Sequence, residues 1–334
     1  MRILHLLNHT NRLNGHVHAA VDLACAQHEM GNTVAIASGG GDFDALLIRE
    51  GIENFMIEHN RRPAPLARSM LKLRSLLKDW SADVVHAHMM TSAVLAWPVC
   101  RLQGLPLVTT VHNAFERSAI LMGLGTRVIA VSDAVGQSMR KRGVPSSRLR
   151  VVLNGTIGSV RFKGRDRTPK ALRSPSILFV GGQHPRKGLP ELFEAFEKVH
   201  ATHPDVRLYV VGDGPCLGEY RARVAAMACA AMVHFAGAQD DPLPWMLGAD
   251  IFVLPSRSDP APLVLSEARE AGCAIVATAV DGIPQLLDDG AAGKLVPPSS
   301  PQLLAEAICA LLNDSATLME WRAKSHANIK NLSI

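Results

Sequence analysis

Short apolar runs alternate with longer amphipathic stretches from the first residues of this chain, lapse once, and then begin again. That rhythm restricts the fold more than any single motif does. In the first half the candidate strands are 2–7 (RILHLL), 33–37, 53–57, 83–87, 106–111, 127–131 and 149–153, and helical patterns fall near 16–30, 42–50, 66–79, 91–103 and 133–142. Strands separated by helices pair in parallel and are covered on both faces. The rhythm lapses over 158–175 (GSVRFKGRDRTPKALRSP), a polar, basic stretch punctuated by proline and glycine that reads as a linker. It resumes with strands at 176–181, 206–211, 232–236, 250–254 and 274–278, and helices at 189–202, 216–229, 263–272, 301–312 and 315–329. The expectation is an α/β chain of two doubly wound parallel-sheet domains, 1–157 and 176–334. Such sheets bind ligands at the carboxyl ends of their strands, so the two are expected to face a central cleft.

Composition supports two full cores: 48% of the 334 residues are hydrophobic and 19% are charged, which argues against disorder. The six cysteines are scattered without a C-x-x-C pair, as expected of buried thiols in a reducing, cytoplasmic setting. The opening apolar run is too short for a signal segment, and no stretch reaches the ~18 apolar residues of a spanning helix. The net charge of +5 is uneven: residues 1–157 hold 17 Lys+Arg against 11 Asp+Glu, and the remainder is close to neutral. A basic first half suggests an anionic partner for that half. Nucleic acid is excluded as that partner, because aromatics are only 4% and no basic run is interleaved with them.

Three loops carry the candidate chemistry. The loop after the first strand holds one glycine, Gly15, and lacks the G-x-G-x-x-G of a dinucleotide site. At 179–188 (FVGGQHPRKG) a strand runs into a glycine-rich turn bearing Arg186 and Lys187, where a cation could stabilise charge on a leaving phosphate. The alternative for that turn is a solvated surface loop. At 254–272 (LPSRSDPAPLVLSEAREAG) a strand ends, a loop carries Asp259, and a helix opens near Leu263 with Glu267 one turn inside. Amides at a helix start favour an anion such as a diphosphate, and two carboxylates there could accept from sugar hydroxyls. Helix capping by Asp259 and a solvated Glu267 explain the same pattern equally well.

Taken in order, these segments resemble the family-4 retaining glycosyltransferases (glycosyl transferases group 1), which have the GT-B fold of two Rossmann-like domains. Asp259 and Glu267, separated by seven residues, match that family's paired acids. The likeness continues in Val211-Gly-Asp-Gly-Pro215, Asp281-Gly-Ile-Pro284 and Gly290-Ala-Ala-Gly-Lys-Leu-Val-Pro-Pro298. In the first half it covers Asn14-Gly15, Asp83-Val-Val-His-Ala-His88, Thr110-Val-His-Asn113, Val128-Ile-Ala-Val-Ser132 and Asn154-Gly155.

The resemblance implies a transfer of sugar from a UDP- or GDP-sugar to a glycan or lipid-linked acceptor with retention, in assembly of bacterial cell-surface polysaccharide or lipopolysaccharide. It implies that Glu267 holds the ribose and Asp259 the donor-sugar hydroxyls. The backbone at Leu263 and Val264 would receive the diphosphate, and Lys187, with Arg186, would neutralise the leaving group. Gly15 would let the first loop approach the diphosphate, and His112 would lie by the reacting carbon. His86 and His88 read as core histidines. No metal or other cofactor is implied, since cations and helix ends meet the charge. The chain departs from the family in Gly182, where arginine is usual, in Asp259 for the commoner glutamate, in Pro262 for a frequent glycine, and in ending at Ile334. Gly182 and that ending admit a second reading, an impaired relative that serves as a binding partner in a glycan-assembly complex. Residues 61–80 place Leu66, Met70, Leu73, Leu77 and Trp80 at helical spacing beside Arg68, Lys72, Arg74 and Lys78, with Arg61 and Arg62 before them. The expectation is a peripheral contact with an anionic membrane surface at the inner face of the cell membrane, set against simple packing of the stripe on its own sheet.

Overall fold

The computed structural model describes residues 1–12, 14–59 and 62–334, and these form two compact units, Met1–Lys163 with Ile334 and Gly164–Ser333. The first contains strands β1 (Arg2–Leu6), β2 (Thr33–Ser38), β3 (Glu53–Met56), β4 (Val84–Ala87), β5 (Leu107–Val111), β6 (Arg127–Ala130) and β7 (Leu149–Val151). Its helices are α1 (Gly15–Glu29), α2 (Asp44–Arg49), α3 (Pro63–Asp79), α4 (Met90–Gln103) and α5 (Asp133–Lys141). All strand pairs are parallel, in the order β3-β2-β1-β4-β5-β6-β7. Helices on both faces leave the central strands no solvated side, which is why β4 (VVHA) is buried at every residue. Local chemistry sets the helix ends. Ser132 Oγ accepts from Val135 N at the start of α5, and Gly104 at φ 68° closes α4.

The second unit has β8 (Ser176–Val180), β9 (Arg207–Val211), β10 (Val233–Gly237), β11 (Ile251–Leu254), β12 (Ala274–Thr278) and β13 (Lys294–Val296). Its helices are α6 (Leu189–Thr202), α7 (Leu217–Ala225), α8 (Leu243–Gly248), α9 (Leu263–Glu270), α10 (Ile283–Leu286), α11 (Pro301–Leu312) and α12 (Ser315–His326). The order is β10-β9-β8-β11-β12-β13, again parallel. In each unit the chain winds one way from its first strand and then reverses, so a switch point lies between β1 and β4 and another between β8 and β11. Arg269, fully buried, fixes α9 from behind: it donates to the carbonyls of Ser325 (2.9 Å) and Leu286 (2.7 Å) and to Asp288 (2.9 Å). This fold is GT-B, as the resemblance implied.

The structure departs from the periodicity reading in several details. β13, α8 and α10 are additional elements; β13 is only three residues long, and α8 and α10 are short and carry a proline in the first turn. The stretch 158–175 is not uniform either. Through Lys163 it belongs to the first unit, and Arg161 there is buried because the Asp22 carboxylate of α1 receives its guanidinium (2.8–3.0 Å). Ser159 Oγ donates to the same carboxylate at 2.6 Å.

Candidate functional site

In the second unit the loops leaving β8 and β11 meet at the switch point. Gly188 makes this possible: it sits at φ 68°, and a β-carbon there would lie 1.9 Å from the Pro255 carbonyl oxygen. Arg257 N donates to Arg186 O at 2.7 Å, which joins the two loops through their backbones. Across this contact Lys187 Nζ donates to Asp259 Oδ2 at 2.6 Å, with both side chains buried. Ser256 Oγ donates to the same oxygen at 3.2 Å, and the half-exposed Arg186 guanidinium lies 3.6 Å from Asp259 Oδ1. An ammonium has three N–H groups, so its bond to Asp259 orients it with two more to offer an incoming anion. Asp281 braces the loop, accepting from Asp259 N at 2.7 Å and from Ser258 Oγ.

Helix α9 starts directly after this loop. Pro262 precedes it, has no N–H of its own, and supplies no side-chain cap. Leu265 N turns back to Pro262 O at 3.1 Å, whereas Leu263 and Val264 are the first-turn amides at the positive end of the helix. Glu267 follows one turn inside and is buried. On the other side of β8, the loop after β9 packs so tightly that a β-carbon at Gly214 would lie 2.6 Å from the Gln183 backbone. Gln183 N donates to Asp213 O and its side-chain amide to Gly212 O, both at 2.9 Å, and its Oε1 is buried without a partner. Gly182 borders this junction. A β-carbon there would meet only the His184 ring at 3.3 Å and Asp213 O at 3.8 Å, so the backbone admits a side chain at 182.

The first unit presents histidines instead of an ion pair. His5 on β1 and His86 on β4 are Cα partners across the switch point. His88 lies just past β4 and His112 just past β5, and their rings stack with centroids 5.5 Å apart. Burial pulls His5 down to about 4 and His112 to about 3, with the neighbouring His16 adding to the second effect, and it drives His86 and His88 well below the usual imidazole range. All four are therefore neutral at pH 7. Gly15 is the exposed first residue of α1, whose preceding Asn14 gives no side-chain cap. Nitrogens of His5, His86 and His88 lie within 4.8 Å of one another, a spacing open to a metal ion, although each of the three rings is already hydrogen-bonded within the protein.

Of the stripe on α3, Leu73, Leu77 and Trp80 are buried in the first unit's own core, as packing requires, and Leu66 and Met70 are half-buried. Arg68, Lys72, Arg74 and Lys78 are exposed together with Leu71, and Arg61 falls outside the described residues. No helix among the described residues is long and apolar enough to cross a membrane. Nothing in the sequence alone marks a role for Asp281, Ser256, Gln183 or His5. Their contributions depend on contacts between distant loops or strands. Only Asp281, in an Asp-Gly turn at φ 47°, left a local signal.

Two family models match, "Glycosyltransferase Family 4" over residues 13–156 and "Glycosyl transferases group 1" over residues 174–314. A phosphatidyl-myo-inositol mannosyltransferase of Mycobacterium tuberculosis is 29% identical over 297 residues, covering 80% of this chain and 77% of its own length. Among solved structures, the HepE protein of Anabaena in complex with UDP-glucose superposes with a TM-score of 0.84 at 19% identity, covering 100% of this chain and 95% of that one. WaaG, a glycosyltransferase involved in lipopolysaccharide biosynthesis, superposes with a TM-score of 0.74 at 16% identity, covering 98% and 95%.

Proposed function

We propose that this chain, which belongs to the group-1 glycosyltransferases of family 4, moves a sugar from a UDP- or GDP-sugar to a glycan or lipid-linked acceptor with retained anomeric configuration. The observation that carries the proposal is the buried Lys187–Asp259 pair, held at 2.6 Å at a strand switch point on the loop that leads into the uncapped start of α9. When the sugar–phosphate bond breaks, negative charge grows on the diphosphate. The Leu263 and Val264 amides and the Lys187 ammonium, with Arg186 at the rim, meet that charge without having to reorganise. Their action requires no metal. One oxygen of Asp259 orients Lys187 and the other accepts from a donor-sugar hydroxyl. Glu267 accepts from the ribose, Gly15 leaves room for the diphosphate beside α1, and His112 lies by the reacting carbon.

The mannosyltransferase and WaaG act, by their names, on a membrane lipid and in lipopolysaccharide biosynthesis, which supports an acceptor among cell-surface glycans or their lipid-linked precursors. The exposed basic face of α3 supports peripheral docking on the inner face of the membrane. The test is a thermal-shift screen of UDP- and GDP-sugars, followed by product analysis with the best binder and assignment of the anomeric linkage by NMR. Stabilisation by one nucleotide series and an α-linked product from an α-linked donor are expected. No stabilisation by any nucleotide sugar would contradict the proposal, and binding without turnover would leave a binding partner rather than an enzyme.

A further inference from the structure

Beneath His112 runs a line of hydrogen bonds through the first unit. His112 Nε2 meets His88 Nδ1 at 3.2 Å, His88 Nε2 meets His5 Nδ1 at 2.8 Å, and His5 Nε2 meets Gln27 Oε1 at 2.8 Å. His5 and His88 are buried, Gln27 is half-buried on α1, and the far nitrogen of the chain, His112 Nδ1, is buried with no partner. We propose that Gln27, His5 and His88 are positioning residues that lock His112 in its Nε2-protonated tautomer, so that its Nδ1 is a bare acceptor selecting a sugar hydroxyl over an anion. That selection rests on the proposed place of His112 beside the reacting sugar.

The direction of the chain follows from what a neutral imidazole can do. Each ring has one N–H and one lone pair, so fixing one bond fixes every other. Gln27 Oε1 can only accept, so His5 donates from Nε2 and must accept at Nδ1. His88 then donates from Nε2 and accepts at Nδ1, and His112 donates from Nε2. What remains is one unfilled lone pair on His112 Nδ1. The reverse order, with the Gln27 amide donating, would end in a buried N–H without an acceptor, which is rarer and more costly in a folded protein than an unfilled lone pair. The rings are kept neutral by burial and by one another: His86 stacks on His88 with centroids 4.3 Å apart, and His16 lies 5.9 Å from His112. His86 is outside the chain, since its Nε2 pairs with Thr110 Oγ1 at 2.7 Å. A hydroxyl brings the proton that Nδ1 lacks. A phosphate oxygen brings only another lone pair.

The test is long-range 1H–15N correlation NMR of the histidine rings in full-length protein, after its metal content has been measured. Nε2-protonated neutral rings at His5, His88 and His112 are expected in the wild type at pH 7. Gln27→Glu, an acceptor with no proton to give, should preserve that pattern. Gln27→Leu should convert His112 to a mixture of both tautomers while the thermal melt of the protein stays cooperative. Addition of UDP-glucose or GDP-mannose, whichever binds, should shift the His112 Nδ1 resonance, and the corresponding nucleoside diphosphate alone should not. A stoichiometric metal on these histidines would overturn the proposal. So would an Nδ1-protonated His112 in the wild type, a tautomer indifferent to Gln27→Leu, or a full shift with the diphosphate alone. None of these readouts requires turnover, so the fate of the hydrogen-bond chain is separable from that of the transferase reading.

Discussion

The two units share a winding order, yet their switch points carry opposite chemistry. Between β8 and β11 lies an ion pair, Lys187 with Asp259; between β1 and β4 lie imidazoles that burial keeps uncharged. Net charge runs the other way, because the first half is the basic one and the second is close to neutral. Much of the first half's excess charge is exposed on the outer face of α3, whereas the second unit places a few charges at its strand ends and buries them. The proposed reading puts the anion site in the half with the lower net charge. In the low-dielectric interior one oriented ammonium, that of Lys187, can outweigh many solvated charges.

The strongest way to break this contrast is to remove the buried cation. Lys187→Ala is expected to lower kcat by about 10²–10³-fold, with a smaller effect on KM, because the charge it meets grows in the transition state. Steady-state kinetics with the best nucleotide sugar reads this directly, and an unchanged kcat would remove Lys187 from the reaction. Next in size is Glu267→Ala. Loss of a buried charged acceptor should weaken nucleotide-sugar binding by about 1.5–3 kcal/mol in calorimetry; equal affinity would make Glu267 a helix residue with no ligand.

The histidines of the first unit sharpen the contrast through pH. Their folded pKa values lie below the unfolded value of 6.5, at about 4 for His5 and His16 and about 3 for His112. Between those values the unfolded chain binds more protons. The stabilisation is therefore complete above pH 6.5 and is lost as the pH falls from 6.5 toward 4, at about 1.4 kcal/mol per pH unit for each such ring. Thermal melts and amide exchange from pH 7 to pH 5 should show the first unit loosening before the second. Parallel loss in both units would mean that the buried rings are not what sets acid stability.

The smallest effect concerns α3. Changing Arg68, Lys72, Arg74 and Lys78 together to Gln should reduce sedimentation with anionic liposomes, since each basic residue contributes about 1 kcal/mol near such a surface, and added salt should do the same. Recovery in the supernatant regardless of lipid charge would leave α3 as a packing helix only.

Much of the architecture was legible because parallel strands buried on both faces must read as apolar runs. β11 (IFVL) and β12 (AIVAT) could hardly be anything else. The three-residue β13, with Lys294 in it, carries too little of that signal. Residues 158–163 misled for a different reason: their basic composition suggests solvent, and only the folded position of Asp22 buries Arg161. In the candidate site, Lys187 and Asp259 were each visible in a loop of suggestive chemistry. Their pairing was not, because it is made by Gly188 drawing one loop against the other. The histidine chain was invisible for a similar reason. It exists only in the register that sets His5 beside His86.

On the proposed reading the start of α9 and the loop bearing Lys187, rather than the more basic first half, receive the nucleotide's diphosphate. Amide hydrogen exchange with and without the best-binding nucleotide sugar distinguishes the two. The strongest new protection is expected on Leu263 and Val264 and across 185–188, with a weaker change near Gly15. Unchanged exchange at Leu263 and Val264, with protection confined to the first unit, would contradict that reading.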